Sequence, residues 1–139
     1  MTIKERRPGK DVFGYEGIDI AFAVNTEGFN DSGFAGQVAE RFWPELANTE
    51  PCELGTVMSK TADDGRTYHA LVCHSLKNGW GGNQAEIIEK CFNNIPDSTE
   101  RTVASIAIGR GLVGQLTGAD TEQIEAGMEA SKTSIILYG

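Results

Sequence analysis

This 139-residue chain has no long apolar run. No stretch approaches the roughly 18 residues that a membrane-spanning helix needs, and the opening segment Met1 to Lys10 is polar, without a signal-peptide core. A cytoplasmic location is the expectation. Cysteine is scarce: Cys52, Cys73 and Cys91 are an odd number without a Cys-x-x-Cys pair, and two of them lie inside apolar runs. That pattern argues for reduced, buried thiols rather than disulfides or a zinc site. Histidine is scarcer still, and the spacing of His69 and His74 does not suit a metal site. Basic residues are outnumbered, 12 against 20 acidic, for a net charge of −8 and a pI near 4.7. Long-range electrostatics therefore oppose general binding to nucleic acids or anionic membranes. A small anion is a separate matter, because backbone N–H groups at a turn or helix start bind phosphate without Lys or Arg. Only four prolines occur, and no Pro/Ser-rich linker or internal repeat divides the chain, which reads as one domain over residues 1–139.

Hydrophobic residues make up 40% of the chain and charged residues 23%, a composition that supports a packed core. Glycine is abundant at 17 residues, clearly above the usual ~7%. Ile18 to Val24 is short and mostly apolar, a buried strand. The Gly-rich stretch Asn25 to Gly36 follows. Then comes a helix over Gln37 to Trp43, with Val38 and Phe42 on one face and Pro44 stopping it. Gly55 to Lys60 and Arg66 to Cys73 flank Asp63-Asp64-Gly65 and read as a hairpin. Asn83 to Asn94 places Ile87, Ile88, Cys91 and Phe92 at helical spacing. Thr102 to Ile108 is another short strand, followed by Gly109-Arg110-Gly111-Leu112-Val113-Gly114. Asp120 with Gln123 forms a capping box for a helix to about Ala130, with Ile124 and Met128 inward, and Ser134 to Tyr138 is the last strand. Strands alternating with helices predict a layered α/β domain with a parallel or mixed sheet.

In such sheets ligands bind beyond the C-terminal ends of the strands, and both glycine clusters directly follow strands. Each alone is weak evidence. The spacing Gly109-x-Gly-x-x-Gly114 matches a dinucleotide fingerprint but stands near the C-terminus instead of opening a βαβ unit, which argues against Rossmann-type NAD binding. Two glycine loops on one small sheet are more specific, because they can close on opposite sides of one diphosphate.

The order of these features resembles the macrodomain family. Asp11-Val12-Phe13 is similar to that family's Gly-Asp-Ile/Leu element, although Lys10 replaces the glycine. Asp19 opens the matching strand. Gly33-Phe34-Ala35 resembles the Gly-Ile-Ala of the distal-ribose loop in the branch of terminal ADP-ribose glycohydrolases and ADP-ribose-1″-phosphate phosphatases. Ile108-Gly-Arg-Gly-Leu-Val-Gly114 resembles the diphosphate loop Ile-Gly-x-Gly-Leu-Asp-Gly. The resemblance implies a three-layer domain with a central mixed sheet between helices. It also implies ADP-ribose or a related adenine nucleotide as ligand. Adenine would lie near Asp11, Val12 and Tyr138, and the diphosphate and distal ribose would meet Asn25, Gly33, Phe34, Ala35 and Gly109 to Val113, with Arg110 on the diphosphate. An ADP-ribosylated protein is then a conceivable partner. No cofactor or metal is implied.

Departures from the family pattern bear on catalysis. The glycohydrolase type uses a Lys in a Leu-Ile-Thr-Lys context and the Asp of Gly-Leu-Asp, where this chain has Leu71-Val-Cys-His74 and Gly111-Leu-Val113. Another hydrolase branch places an Asp where Ala35 stands. A neutral imidazole cannot form the lysine covalent intermediate, and valine offers no proton. The leading expectation is binding without efficient hydrolysis. One alternative is a phosphatase or slow de-ADP-ribosylase with His74 as acid/base; another is a partner-binding protein that kept the fold and lost the pocket, using Trp80. The plainer readings stand beside these. His74 reads more readily as a half-buried histidine bonded to backbone than as a catalytic base, and His69 has no evident partner. Asn25 can be a turn former, Asp11 a solvated residue and Tyr138 an edge-packing ring. Trp80, between glycines, reads as an aromatic on a mobile loop or one packed over the second helix.

Overall fold

The computed structural model describes residues 2–31, 33–80, 83–106 and 120–138. Six strands form one sheet: β1 (Ile3–Arg7), β2 (Asp19–Asn25), β3 (Val57–Thr61), β4 (Thr67–His74), β5 (Thr102–Ile106) and β6 (Ser134–Tyr138). Their order is β1-β6-β5-β2-β4-β3, parallel throughout except for the antiparallel β3–β4 edge. The expected mixed sheet is present. Among the described residues the α-helices are α1 (Gly33–Arg41), α2 (Gln84–Asn93) and α3 (Thr121–Ala130).

Alternation along β2 and β4 gives each strand two buried faces. Ile20, Phe22 and Val24 with Tyr68 and Val72 meet the α1 side, where Phe22 lies 5.6 Å from Phe34 and Phe42 stacks on Tyr68 at 5.2 Å. On the opposite face α2 packs against β4, and the Cys91 Sγ donates to the Val72 carbonyl at 3.6 Å. Cys73 and Cys91 are buried free thiols and Cys52 is a half-buried one, and burial pushes the Cys91 thiol up to about 12. Helices α2 and α3 approach so closely at Gly127 that a Cβ there would lie 2.4 Å from the Ala85 carbonyl oxygen. Asp120 caps α3 as its sequence implies, accepting from the amides of Glu122 and Gln123 at 3.0 and 3.3 Å.

Two boundaries differ from expectation. Strand β1 lies in a segment that looks merely polar, because at the sheet edge only Ile3 faces the core while Lys4, Glu5 and Arg6 are exposed. Helix α1 begins at Gly33, four residues before the predicted Gln37. Gly33 adopts φ +63°, a turn into the helix that a side chain would resist, so the glycine-rich sequence masks a helix start.

Candidate functional site

The C-terminal ends of β6, β5, β2 and β4 lie along one end of the sheet. At its β6 side Asp11 and Tyr138, far apart in sequence, line one open cavity of about 620 Å³. Asp11 caps the short 3-10 helix Val12–Gly14, its Oδ1 accepting from the Phe13 amide at 3.0 Å. Val12 turns its side chain into the core. Tyr138 is 4% exposed; its hydroxyl accepts from Arg7 Nη1 at 2.7 Å, and its ring meets Tyr15 edge-on at 6.2 Å. The Arg7 guanidinium also lies over the Tyr138 ring, 5.5 Å from its centroid, and is held by Glu5 and Glu16. Tyr138 thus presents a face already covered by a planar cation. Glu5, Arg6, Arg7, Pro8, Lys10 and Gly14 complete the cavity and escaped sequence reasoning. The basic run through Lys4, Arg6, Arg7 and Lys10 was the available signal.

Farther across the sheet, β2 runs into α1 through a loop that Asn25 braces. Its Oδ1 accepts from the Gly28 and Phe29 amides at 2.9 and 3.2 Å, and its Nδ2 donates to the Phe29 carbonyl at 2.8 Å. The side chain thus braces the turn through its oxygen and one amide hydrogen. Gly33, Phe34 and Ala35 form the first turn of α1. Phe34 stacks on Phe13 at 4.9 Å, so toward a ligand this segment offers main chain rather than a side chain. Gly109, Arg110, Gly111, Leu112 and Val113 lie outside the described residues.

At the end of β4, His74 is 7% exposed and its ring centroid lies 6.2 Å from that of Trp80, itself 6% exposed. Trp80 is a buried packing residue, which corrects the expectation of an aromatic displayed on a mobile loop. His74 Nδ1 and Trp80 Nε1 are both buried without a hydrogen-bond partner among the described residues. Burial lowers the His74 pKa, opposed by the Val24 backbone and the Glu27 carboxylate. Glu27, also missed from sequence, fastens the neighbouring loop. Its carboxylate accepts from Ser75 Oγ at 2.5 Å and the Leu76 amide at 2.8 Å, and these bonds, the hydroxyl first, hold its pKa at about 2.

His69 has partners after all. Its Nε2 meets Asp19 Oδ1 at 2.8 Å and its Nδ1 meets Ser59 Oγ at 2.7 Å, while Arg101 donates to the same Asp19 oxygen at 2.7 Å. An ionised Asp19 can only accept, so the ring proton sits on Nε2 and the serine donates to Nδ1. This network sits near the starts of β2 and β4, away from the site. The described residues contain no cluster of metal-ligating side chains.

No family model and no curated protein matches the sequence. Structure is more informative. The macrodomain of Mycobacterium tuberculosis DarG, 15% identical, superposes with a TM-score of 0.68 over 96% of this chain and 96% of that one. The chain has the macrodomain fold. A Trypanosoma brucei macrodomain solved in complex with ADP is 15% identical at a TM-score of 0.62, with 96% of this chain and 60% of that one covered. The alphavirus P23pro-zbd structure is 14% identical at 0.66, over 97% of this chain and only 21% of the viral one. On this macrodomain sheet the candidate groups follow strand order. Asp11 and Tyr138 stand at β6, the glycine cluster follows β5 in the sequence, the start of α1 follows β2, and His74 with Trp80 stands at β4.

Proposed function

We propose that this macrodomain binds ADP-ribose, or a closely related adenine nucleotide, along the strand ends from β6 to β4. The observation that carries the reading is the shared cavity of Asp11 and Tyr138, placed by β1 and β6 at one end of that row. Asp11 uses Oδ1 to cap its turn, and its second oxygen is the acceptor for the adenine amino group. The purine stacks on the Arg7 guanidinium that Tyr138 supports, since a planar cation is as good a platform as a bare ring. The first turn of α1 and the Gly109–Val113 segment supply amides to the diphosphate, a mode of anion binding compatible with a net charge of −8.

Efficient glycohydrolysis is not part of the proposal. By the sequence resemblance His74 replaces the lysine of the glycohydrolase type, and its burial favours the neutral ring. Calorimetric titration with ADP-ribose tests binding, and absence of heat with ADP-ribose and with ADP counts decisively against it. Incubation with ADP-ribosylated protein or ADP-ribose-1″-phosphate tests turnover. Product release that His74→Phe abolishes while binding survives would replace the binder with an enzyme that uses His74 as acid/base. Silence in both assays, with association to another protein lost in Trp80→Ala, would favour a pocketless interaction domain.

A further inference from the structure

We propose that Ser59, His69 and Asp19 form a second, hydrolytic site at the other end of the sheet, with Ser59 as nucleophile toward small activated esters. It does not depend on the nucleotide reading. Ser59 Oγ lies 2.7 Å from His69 Nδ1, and His69 Nε2 lies 2.8 Å from Asp19 Oδ1. A hydroxyl, an imidazole and a carboxylate bonded in that order are the parts of an activated serine. Burial runs along the same line: Ser59 is exposed, His69 is fully buried, and Asp19 is buried with Arg101 at 2.7 Å on the same oxygen. The nucleophile is open to solvent and its base is shielded.

The register of the sheet edge produces this arrangement. The Val72 amide donates to the Thr56 carbonyl at 2.9 Å and the Ala62 amide to the Arg66 carbonyl at 2.8 Å. Pairs in step with these, Met58 with Ala70 and Lys60 with Tyr68, carry the ladder bonds of β3 and β4. Ser59 and His69 are then a non-hydrogen-bonded pair, the kind whose side chains approach most closely. The same alternation turns the Ser59 amide away from β4. Because β3 is the outermost strand on that side, this amide is a main-chain donor beside the nucleophile, free of the ladder and available to a developing oxyanion. Val57, half-buried on the same face, gives an acyl chain an apolar neighbour.

The protonation state suits the chemistry. With the ring proton on Nε2 and held by Asp19, the Nδ1 lone pair faces the serine hydroxyl. Attack by Oγ on the ester carbonyl carbon forms the O–C bond while the hydroxyl proton passes to Nδ1. The C–O bond to the leaving alcohol then breaks, and Nδ1 returns the proton to that oxygen. Water attacks the acyl-serine in the same way: it gives a proton to Nδ1, its oxygen bonds the acyl carbon, and the departing Oγ takes the proton back. A single oxyanion donor supports esters of acidic alcohols rather than amides. Ser59 and His69 are the catalytic residues, and Asp19, held by Arg101, is a positioning residue.

Para-nitrophenyl acetate and an alkyl fluorophosphonate, followed by peptide mapping of the intact protein, test the site. With the second probe the Oγ–P bond forms and the P–F bond breaks, fluoride leaving with the proton that His69 takes up. Thr61 is the internal control, an exposed hydroxyl two residues along the same strand that pairs with Thr67 and not with a histidine. Ser59 is expected to be modified about 100-fold faster than Thr61, the lower end of what a positioned base contributes. Ser59→Ala removes that adduct and the matching release of nitrophenolate, and His69→Gln slows modification of Ser59 by a similar factor. The charged groups acting on His69 are Asp19 from β2 and Arg101 from the turn before β5. The rate at Ser59 should rise as the imidazolium loses its proton, and Asp19→Asn should move that rise to lower pH, a displacement that mere loosening of the fold does not produce. Ser59 modified no faster than Thr61 in the wild type would overturn the proposal without any variant having to fold. So would a rate at Ser59 indifferent to His69→Gln, or a pH profile that Asp19→Asn leaves in place.

Discussion

Both histidines of this chain are buried, and in both burial depresses the pKa below the ordinary value near 6.5. For His69 the Asp19 carboxylate opposes the shift and Arg101, on the same carboxylate oxygen, reinforces it. The sign of the consequence is fixed. The unfolded chain takes up protons more readily than the folded one, so stability falls as pH drops below about 6.5 and is retained above it. Glu27, held near 2, adds a loss of the same sign once pH falls below the ordinary carboxylate range. Melting temperature measured from pH 8 to pH 4 should therefore decline monotonically on acidification, with the first part of the decline reduced in His69→Gln. A flat profile between pH 7 and pH 5 would contradict it. Asp11 allows a second test at this scale. Asp11→Ala removes a cap from one short turn, costing about 0.5–2 kcal/mol of stability, and should weaken ADP-ribose binding by about tenfold through loss of a charge-assisted bond. Calorimetry beside thermal melts separates the two effects.

At the scale of elements, what was legible in the sequence was what local chemistry decides. Asp63-Asp64-Gly65 announces a hairpin because Gly65 takes φ +86°, and the β3–β4 register follows from it. Asp120 announces α3 through its side chain alone. Strand β1 was not legible, because an edge strand with one buried residue carries no apolar alternation. The start of α1 was hidden by glycine. The site was less legible still, since its contacts span the chain: Arg7 reaches Tyr138, and Glu27 reaches Ser75. No periodicity encodes such pairs. Close packing also belongs to this scale. Gly127→Ala must push α3 away from the Ala85 carbonyl, at about 1–3 kcal/mol by chemical denaturation, although alanine is the better helix former. Phe34→Ala should cost about 3–5 kcal/mol, since its ring fills the core between Phe13 and Phe22.

For the whole molecule the sign of the net charge matters more than its local sources. A protein of net charge −8 repels an anionic nucleotide at long range, and if main-chain amides hold the diphosphate, few counterions are released on binding. Affinity for ADP-ribose should then stay level or rise as sodium chloride goes from 50 to 500 mM (as orders of magnitude for screening). A steep fall would place the phosphates on lysine and arginine instead. The same field should keep duplex DNA away, so that a gel-shift titration at low salt shows no complex.

The parallel pairing of β1 with β6 sets Ile3 beside Ile135 and Arg7 beside Tyr138. The cavity of Asp11 and Tyr138 is thus lined by the first strand of the sheet and by its last. During synthesis that cavity has no second side until β6 has left the ribosome, and a fragment lacking either terminal strand forfeits the same recess whichever one is cut. Of the six strands, the last to emerge is the one that completes the recess.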